Sequence, residues 1–314
     1  MTSSYPTSSE VREVGPRDGL QNESPISVDE RVRLIDALSA TGLRALEVGS
    51  FVSPSAVPPM AGTDRVLAAI ARNPDVRYRV LVPNLHGARL ALEAGIDELE
   101  VVVSVSRTHN IRNLKMSVDD SVEHIAAIVE LAHAAGVPVE AIVATAFGCP
   151  YEGAISPTRT RDLAERLRGV GVTTFSFADT TGMAVPTSIT GLVHVLDTAG
   201  VEPSDIALHL HNTRGTGLAN LVVAAQHGVR RFDASIGGLG GCPFSPGATG
   251  NIPTEDAVYL LDSLGADTGV DLDALIAVSL DIETVIGRTL PGQLMRSGRP
   301  YAAAPVPSPP TTAP

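Results

Sequence analysis

Apolar residues along this 314-residue chain follow two alternating periods. Short β-branched runs predict strands over 11–15, 44–49, 78–82, 98–104, 139–145, 172–178, 205–211 and 231–236. Most are near-continuous, as in Glu100-Val101-Val102-Val103, which suits parallel strands covered on both faces. Longer amphipathic stretches lie between them. In 118–133, Val118, Val122, Ile125, Val129 and Ala132 recur at helical spacing. Gly42, Gly95, Gly136, Gly171, Gly200 and Gly228 each stand shortly before the next strand, as helix stops do.

Eight strand–helix units in roughly 280 residues predict an α/β fold, a (β/α)8 TIM barrel. A doubly wound open sheet is the rival. Asp18, Glu47, Asn84, Ser104, Asp179, His209 and His211 all fall at or just after strand C-terminal ends, which favours the barrel. A barrel gathers those ends at one mouth, whereas an open sheet spreads them along an edge. Residues 252–265 and 271–288 read as extra C-terminal helices. The expected organisation is a flexible N-terminus over 1–10, a barrel domain over 11–290 and a Pro-rich disordered tail over 291–314.

A net charge of −12 and a pI near 5.1 argue against nucleic acid or an anionic membrane surface as partner. Two cysteines, Cys149 and Cys242, are too few for a disulfide scaffold and are not spaced for zinc. No apolar run approaches the ~20 residues that span a bilayer. Met1 to Glu10 has neither a basic nor an apolar segment of the kind signal peptides carry. The cytoplasm is the expected location.

The chemistry concentrates in three places. Gly15-Pro16-Arg17-Asp18-Gly19-Leu20-Gln21-Asn22-Glu23 follows the first strand and sets an Arg beside an Asp in a Gly-rich loop. His209 and His211 are two apart on a strand, so both imidazoles share a face. Alone, that pair is either a metal half-site or two hydrogen-bonded structural histidines. Asp18, reached across a barrel mouth, and the amide oxygen of Asn251 complete a donor set suited to Mg²⁺ or Mn²⁺. Gly237-Gly238-Leu239-Gly240-Gly241-Cys242 reads either as a turn or as a mobile flap. Cys242 is then a proton donor, a substrate contact or a small apolar filler. Cys149, in a similar Gly-Cys-Pro-aromatic run, reads as part of a turn. Glu47 and Asp179 are acids at strand ends, with Arg17 and the histidines as their natural partners.

At these residues the chain resembles the 3-hydroxy-3-methylglutaryl-CoA lyase family of metal-dependent barrel lyases. The resemblance runs from about Val11 to Arg288. It rests on Gly15–Glu23, Ser50-Phe51-Val52-Ser53-Pro54, Gly148–Gly153, Gly238–Pro243 and Gly250-Asn251 with Thr254-Glu255-Asp256. It implies metal ligands at Asp18, His209, His211 and Asn251, and an enolate-stabilising cation at Arg17. Cys242 would sit on the flap, with Glu47, Asp179 and Glu255 around the site. Gln21, Ser50, Thr180, Arg107 and Lys115 are expected substrate contacts. The implied reaction is a retro-Claisen cleavage that releases acetyl-CoA and acetoacetate, and the implied partner is an acyl-CoA. A homo-oligomer, dimer or tetramer, is expected by analogy.

The chain departs from the family's pattern in two segments. After strand seven, relatives often read His-Asp-Thr-Tyr-Gly, where this chain has His211-Asn212-Thr213-Arg214-Gly215. After strand four, an Arg (Arg107) replaces a Glu, and Lys115 stands where an Asn is usual. The metal and enolate chemistry is untouched, but acyl recognition is open. The alternatives are another 3-hydroxy-3-substituted acyl-CoA, such as a longer-branched glutaryl-CoA or citramalyl-CoA, then a condensing synthase or aldolase, then an inactive metal-holding barrel.

Overall fold

The computed structural model describes residues 5–241 and 250–300. Eight parallel strands close into a barrel: β1 (Glu10–Glu13), β2 (Ala45–Ser50), β3 (Arg77–Leu81), β4 (Glu98–Ser104), β5 (Val139–Ala144), β6 (Thr174–Ala178), β7 (Ile206–His209) and β8 (Arg231–Ala234). β8 returns beside β1, with Glu10 opposite Arg231 and Glu13 opposite Ala234. The predicted strands stand within a few residues of these bounds. A small antiparallel hairpin, Gly148–Cys149 with Gly153–Ala154, is inserted after β5, and it holds the Cys149 turn.

Helices cover the outside. The 118–133 period becomes Val118–Ala134, started by Ser117 and Asp120 in a reciprocal cap. Thr254–Ser263 and Leu272–Ile286 are the two C-terminal helices. The six glycines read as helix stops all have positive φ. No described helix is long and apolar enough to cross a membrane.

Hydrogen bonds hold the chain at both ends of the barrel. Residues 8–10 are tied down: Ser9 N donates to Asp267 O at 3.0 Å and Glu10 N to Arg230 O at 2.7 Å. After Leu290 the chain packs before it enters the undescribed residues. The amides of Gln293 and Leu294 donate to the Asp256 carboxylate at 3.0 and 2.7 Å, and Leu294 and Met295 are buried. An acceptor pair on a neighbouring helix and two apolar anchors hold this segment, and neither shows in a Pro-rich composition.

The barrel interior is polar. Leu99, Val101 and Val103 of β4 are buried in the apolar cluster under the helices. The alternate positions on several strands carry charges that meet inside. Arg12 donates to both oxygens of Glu140 at 2.9 and 2.7 Å and to Asp233 at 2.6 Å. Arg79 lies 2.5 Å from both Glu100 and Glu140 and 3.2 Å from Glu98. Two guanidiniums thus hold four carboxyls, all nearly excluded from water. Burial of a charge is tolerated only with such pairing. Arg79→Met leaves Glu98, Glu100 and Glu140 without their shared cation. We expect it to destabilise the fold by about 3–5 kcal/mol, as other broken buried pairs do, measured by urea unfolding.

Candidate active site

The Gly15–Gly19 segment forms a single π-turn directly after β1. The amides of Arg17, Asp18 and Gly19 all converge on the Val14 carbonyl, at 3.2, 2.7 and 3.2 Å. Such turns recur at functional sites. Both glycines are required by close approach. A Cβ on Gly15 would lie 2.6 Å from Glu13 Oε1, and one on Gly19 would lie 2.6 Å from Ser235 Oγ. The turn brings Arg17 and Asp18 to the C-terminal mouth together.

There Asp18 meets the end of β7. Single ligand atoms of Asp18, His209 and His211 all lie within 4.8 Å of one another, an arrangement that could hold a metal ion. His209 Nε2 is 3.1 Å from His211 Nε2 and 3.8 Å from Asp18 Oδ2. Asn251 pairs with His211 through a backbone bridge and donates its amide to Asp18 Oδ2 at 2.7 Å. Its Oδ1 is buried with no hydrogen-bond partner among the described residues. The four expected ligands are therefore adjacent. Two imidazole nitrogens facing each other, a carboxylate and an unpartnered amide oxygen form a donor set that fits a divalent cation.

The electrostatics keep Asp18 and His211 deprotonated, whereas Asp233 and Asp18 raise the pKa of His209 although burial opposes the shift. Burial works against an ionised Asp18, but Arg17, both histidines and the Asn251 amide outweigh it and hold its pKa down at about 2. Burial and the neighbouring His209 push His211 down to about 3, so it is neutral. Arg17 donates to Asp18 Oδ1 at 2.9 Å and, through Nε, to Glu47. Glu47's other oxygen has no donor among the described residues. Its neighbour Glu100 is pushed well above the usual carboxylate range by burial, with Glu47 adding to the effect. Gln21 donates to Asp18 Oδ1 at 2.7 Å.

Asp179, at the end of β6, accepts the amides of Met183 and Ala184 through Oδ1, at 2.7 and 3.0 Å. Its Oδ2 is buried without a hydrogen-bond partner among the described residues. Burial raises its pKa to about 6. Ser50 ends β2, buried. The Thr180 hydroxyl accepts the amide of Thr145, which ties the loops after β5 and β6 together.

The basic pair after β4 stands at the two ends of one helix. Arg107–Leu114 is a helix, and the exposed Lys115 ends it in the left-handed region, its ammonium on the Arg112 carbonyl at 2.7 Å. Arg107 lines a 420 Å³ groove with Ile111, Arg159 and Arg166 among the outer helices. Lys115 is thus engaged in ending a helix, a role its side chain alone did not announce. Arg214, the other departure, donates to the carbonyls of Thr181 and Gly182 at 2.8 and 2.7 Å and pins the loop that follows Asp179.

The root of the Gly-rich segment is held by two buried acids. Glu13 accepts the amides of Gly15 and Ile236, at 2.6 and 2.9 Å, and the Thr254 hydroxyl at 2.6 Å. Glu255 accepts the Gly237 amide at 3.0 Å. Cys242 and residues 243–249 lie outside the described residues. Sequence reasoning missed Glu13, Glu100 and Asp233. The available signal was a charge inside an otherwise apolar strand.

Comparison with known proteins follows the same residues. The HMGL-like family model matches residues 9–282. An (R)-citramalyl-CoA lyase of Chloroflexus aurantiacus is 42% identical over 93% of this chain and 95% of its own. A hydroxymethylglutaryl-CoA lyase of Pseudomonas mevalonii is 44% identical over 88% of this chain and 92% of its own. A solved HMG-CoA lyase from Acenitobacter baumannii, in complex with coenzyme A and 3-methylmalate, superposes with a TM-score of 0.91. It is 43% identical over 98% of this chain and 100% of its own.

Glu255 gives a pH prediction. Burial, reinforced by Asp256 and Glu13, raises its pKa from 4.5 to about 8 although the Gly237 amide opposes the shift. The folded state therefore holds more protons than the unfolded chain between those values, and stability falls as pH rises through them. One carboxyl contributes up to ~1.4 kcal/mol per pH unit in that window. Glu255→Gln should flatten the decline, measured as unfolding free energy from pH 5 to 9.

Proposed function

The chain belongs to the HMGL-like family and is a carbon–carbon lyase, and on that premise we propose that it cleaves 3-hydroxy-3-methylglutaryl-CoA to acetyl-CoA and acetoacetate. The observation that carries this reading is the adjacency of Arg17 to the Asp18–His209–His211 cluster. A site for a cation and a fixed guanidinium stand side by side at one mouth.

Asp18, His209, His211 and Asn251 would hold Mg²⁺ or Mn²⁺. When bound there, the ion supplies Lewis acidity toward the substrate's tertiary hydroxyl and lowers its pKa. Asp179 is the base in this reading. Both ring nitrogens of His209 are engaged, one toward Asp233 and one toward the ligand cluster. Asp179 has an oxygen with no donor, and a pKa of about 6 leaves it mostly ionised at neutral pH while still basic enough to accept a proton. The hydroxyl proton passes to Asp179 as the C–C bond breaks. The electron pair moves onto the thioester, giving its enolate, and the former carbinol carbon becomes the ketone of acetoacetate. Arg17, held by Asp18 and Glu47, needs no reorganisation to stabilise the enolate oxygen. The enolate carbon then takes a proton, for which the sequence nominates Cys242.

Citramalyl-CoA is the second reading. It keeps the same bond cleavage with pyruvate as the keto acid, and the Chloroflexus relative's name supports it. The deciding experiment is acetyl-CoA release from the purified protein on each substrate, with Mg²⁺, with Mn²⁺ and with EDTA. Metal-dependent release from 3-hydroxy-3-methylglutaryl-CoA, at a kcat/KM well above that on citramalyl-CoA, is expected. The reverse preference would replace this reading by the second.

Arg17→Gln should lower kcat by about 10²–10³-fold, the usual cost of one lost oxyanion donor. Mn²⁺ binding should persist, because Gln21 still donates to Asp18 Oδ1 and the variant removes a like charge beside the ion. Steady-state kinetics and titration calorimetry check the two halves.

A further inference from the structure

One ligand of the cluster is anchored from below and the other is not. Asp233, on β8, is buried inside the barrel with its two oxygens divided. Oδ1 accepts Arg12 Nε at 2.6 Å and lies 2.5 Å from Arg12 Nη2. Oδ2 accepts the Ser176 hydroxyl at 2.7 Å and lies 3.4 Å from His209 Nδ1. Arg12 is fixed in turn by Glu140. By contrast, His211 Nδ1 is buried with no hydrogen-bond partner among the described residues.

We propose that Asp233, clamped by Arg12 and Ser176, is the positioning residue for the metal ligand His209, and that this clamp sets much of the site's affinity for a divalent cation. The inference rests on the metal-binding reading of the cluster. A carboxylate facing Nδ1 draws the ring proton to that nitrogen and leaves Nε2 as a lone pair. Nε2 is the atom turned toward His211 and Asp18. A carboxylate held on three sides cannot rotate away, so the imidazole plane is fixed before any ion arrives. Arg12 and Asp233 lie on neighbouring strands, with Arg12 directly opposite Asp233 in the β1–β8 register. The clamp is therefore built from backbone pairing, not from a loop.

Two readouts test this without any substrate. Metal-stripped full-length protein is titrated calorimetrically with Mn²⁺. Asp233→Asn should bind about 10–100-fold more weakly, as lost outer partners of metal-binding histidines usually do. Arg12→Lys, which keeps the charge and loses the fork, should fall between it and the wild type. Nitrogen-15 NMR of histidine-labelled, metal-free wild type, assigned with His209→Gln, should find His209 protonated at Nδ1. Asp233→Asn should erode that preference. If Asp233→Asn does not fold, the wild-type tautomer and Arg12→Lys carry the test. An Nε2–H tautomer, or wild-type affinity in a folded Asp233→Asn protein, would overturn the inference alone. A wild type that binds no Mn²⁺ would overturn the metal site and this inference with it.

Discussion

The closed barrel depends on a buried charge network that joins most of its strands. Arg12 and Arg79 each reach two or more carboxyls on other strands, and Glu140 is shared between them. Ion pairs this deep contribute little net stability over apolar packing. Their effect is on alignment. A strand shifted by one residue would turn its charge outward into the apolar layer under the helices and strand its partners inside. The same network ends at Asp233, 3.4 Å from His209 Nδ1, so the constraint that aligns the strands reaches the candidate metal cluster.

Above that layer the site is assembled from backbone devices. The π-turn after β1 gathers three amides on one carbonyl and thereby sets Arg17 and Asp18 side by side. Glu13, at the end of the same strand, reaches back to the amides of Gly15 and Ile236 and to Thr254. The first and last strand-end loops are thus tied to one carboxyl. Arg214 and Thr180 do the same for the loops around Asp179. The loops after β1 and β8, and those after β5, β6 and β7, are thus hydrogen-bonded to one another.

The mouth is charged but balanced. Arg17 sits between Asp18 and Glu47, next to Glu100, whose carboxyl burial pushes well above the usual range. The arrangement sets a guanidinium beside an ionised Asp18 at the mouth. Of the two basic departures, Arg107 lines a groove among the outer helices and Lys115 ends the helix that follows β4.

By itself the sequence determined the strand count, the barrel, and which polar residues gather at its mouth. Those follow from local rules: β-branched runs with glycine stops, a His-x-His spacing that puts two rings on one face, and Arg17-Asp18 in a loop after a strand. It also determined the family through Gly15–Glu23 and the glycines around 240. Only the tertiary structure decided which charges face inward together. Arg12, Arg79, Glu100, Glu140 and Asp233 lie on five strands, up to 221 residues apart, and no local pattern pairs them. It likewise decided that Lys115 would end a helix and that residues 291–297 would pack. Those outcomes depend on partners the chain meets only when the barrel closes, and closure is a long-range event that local periodicity does not encode.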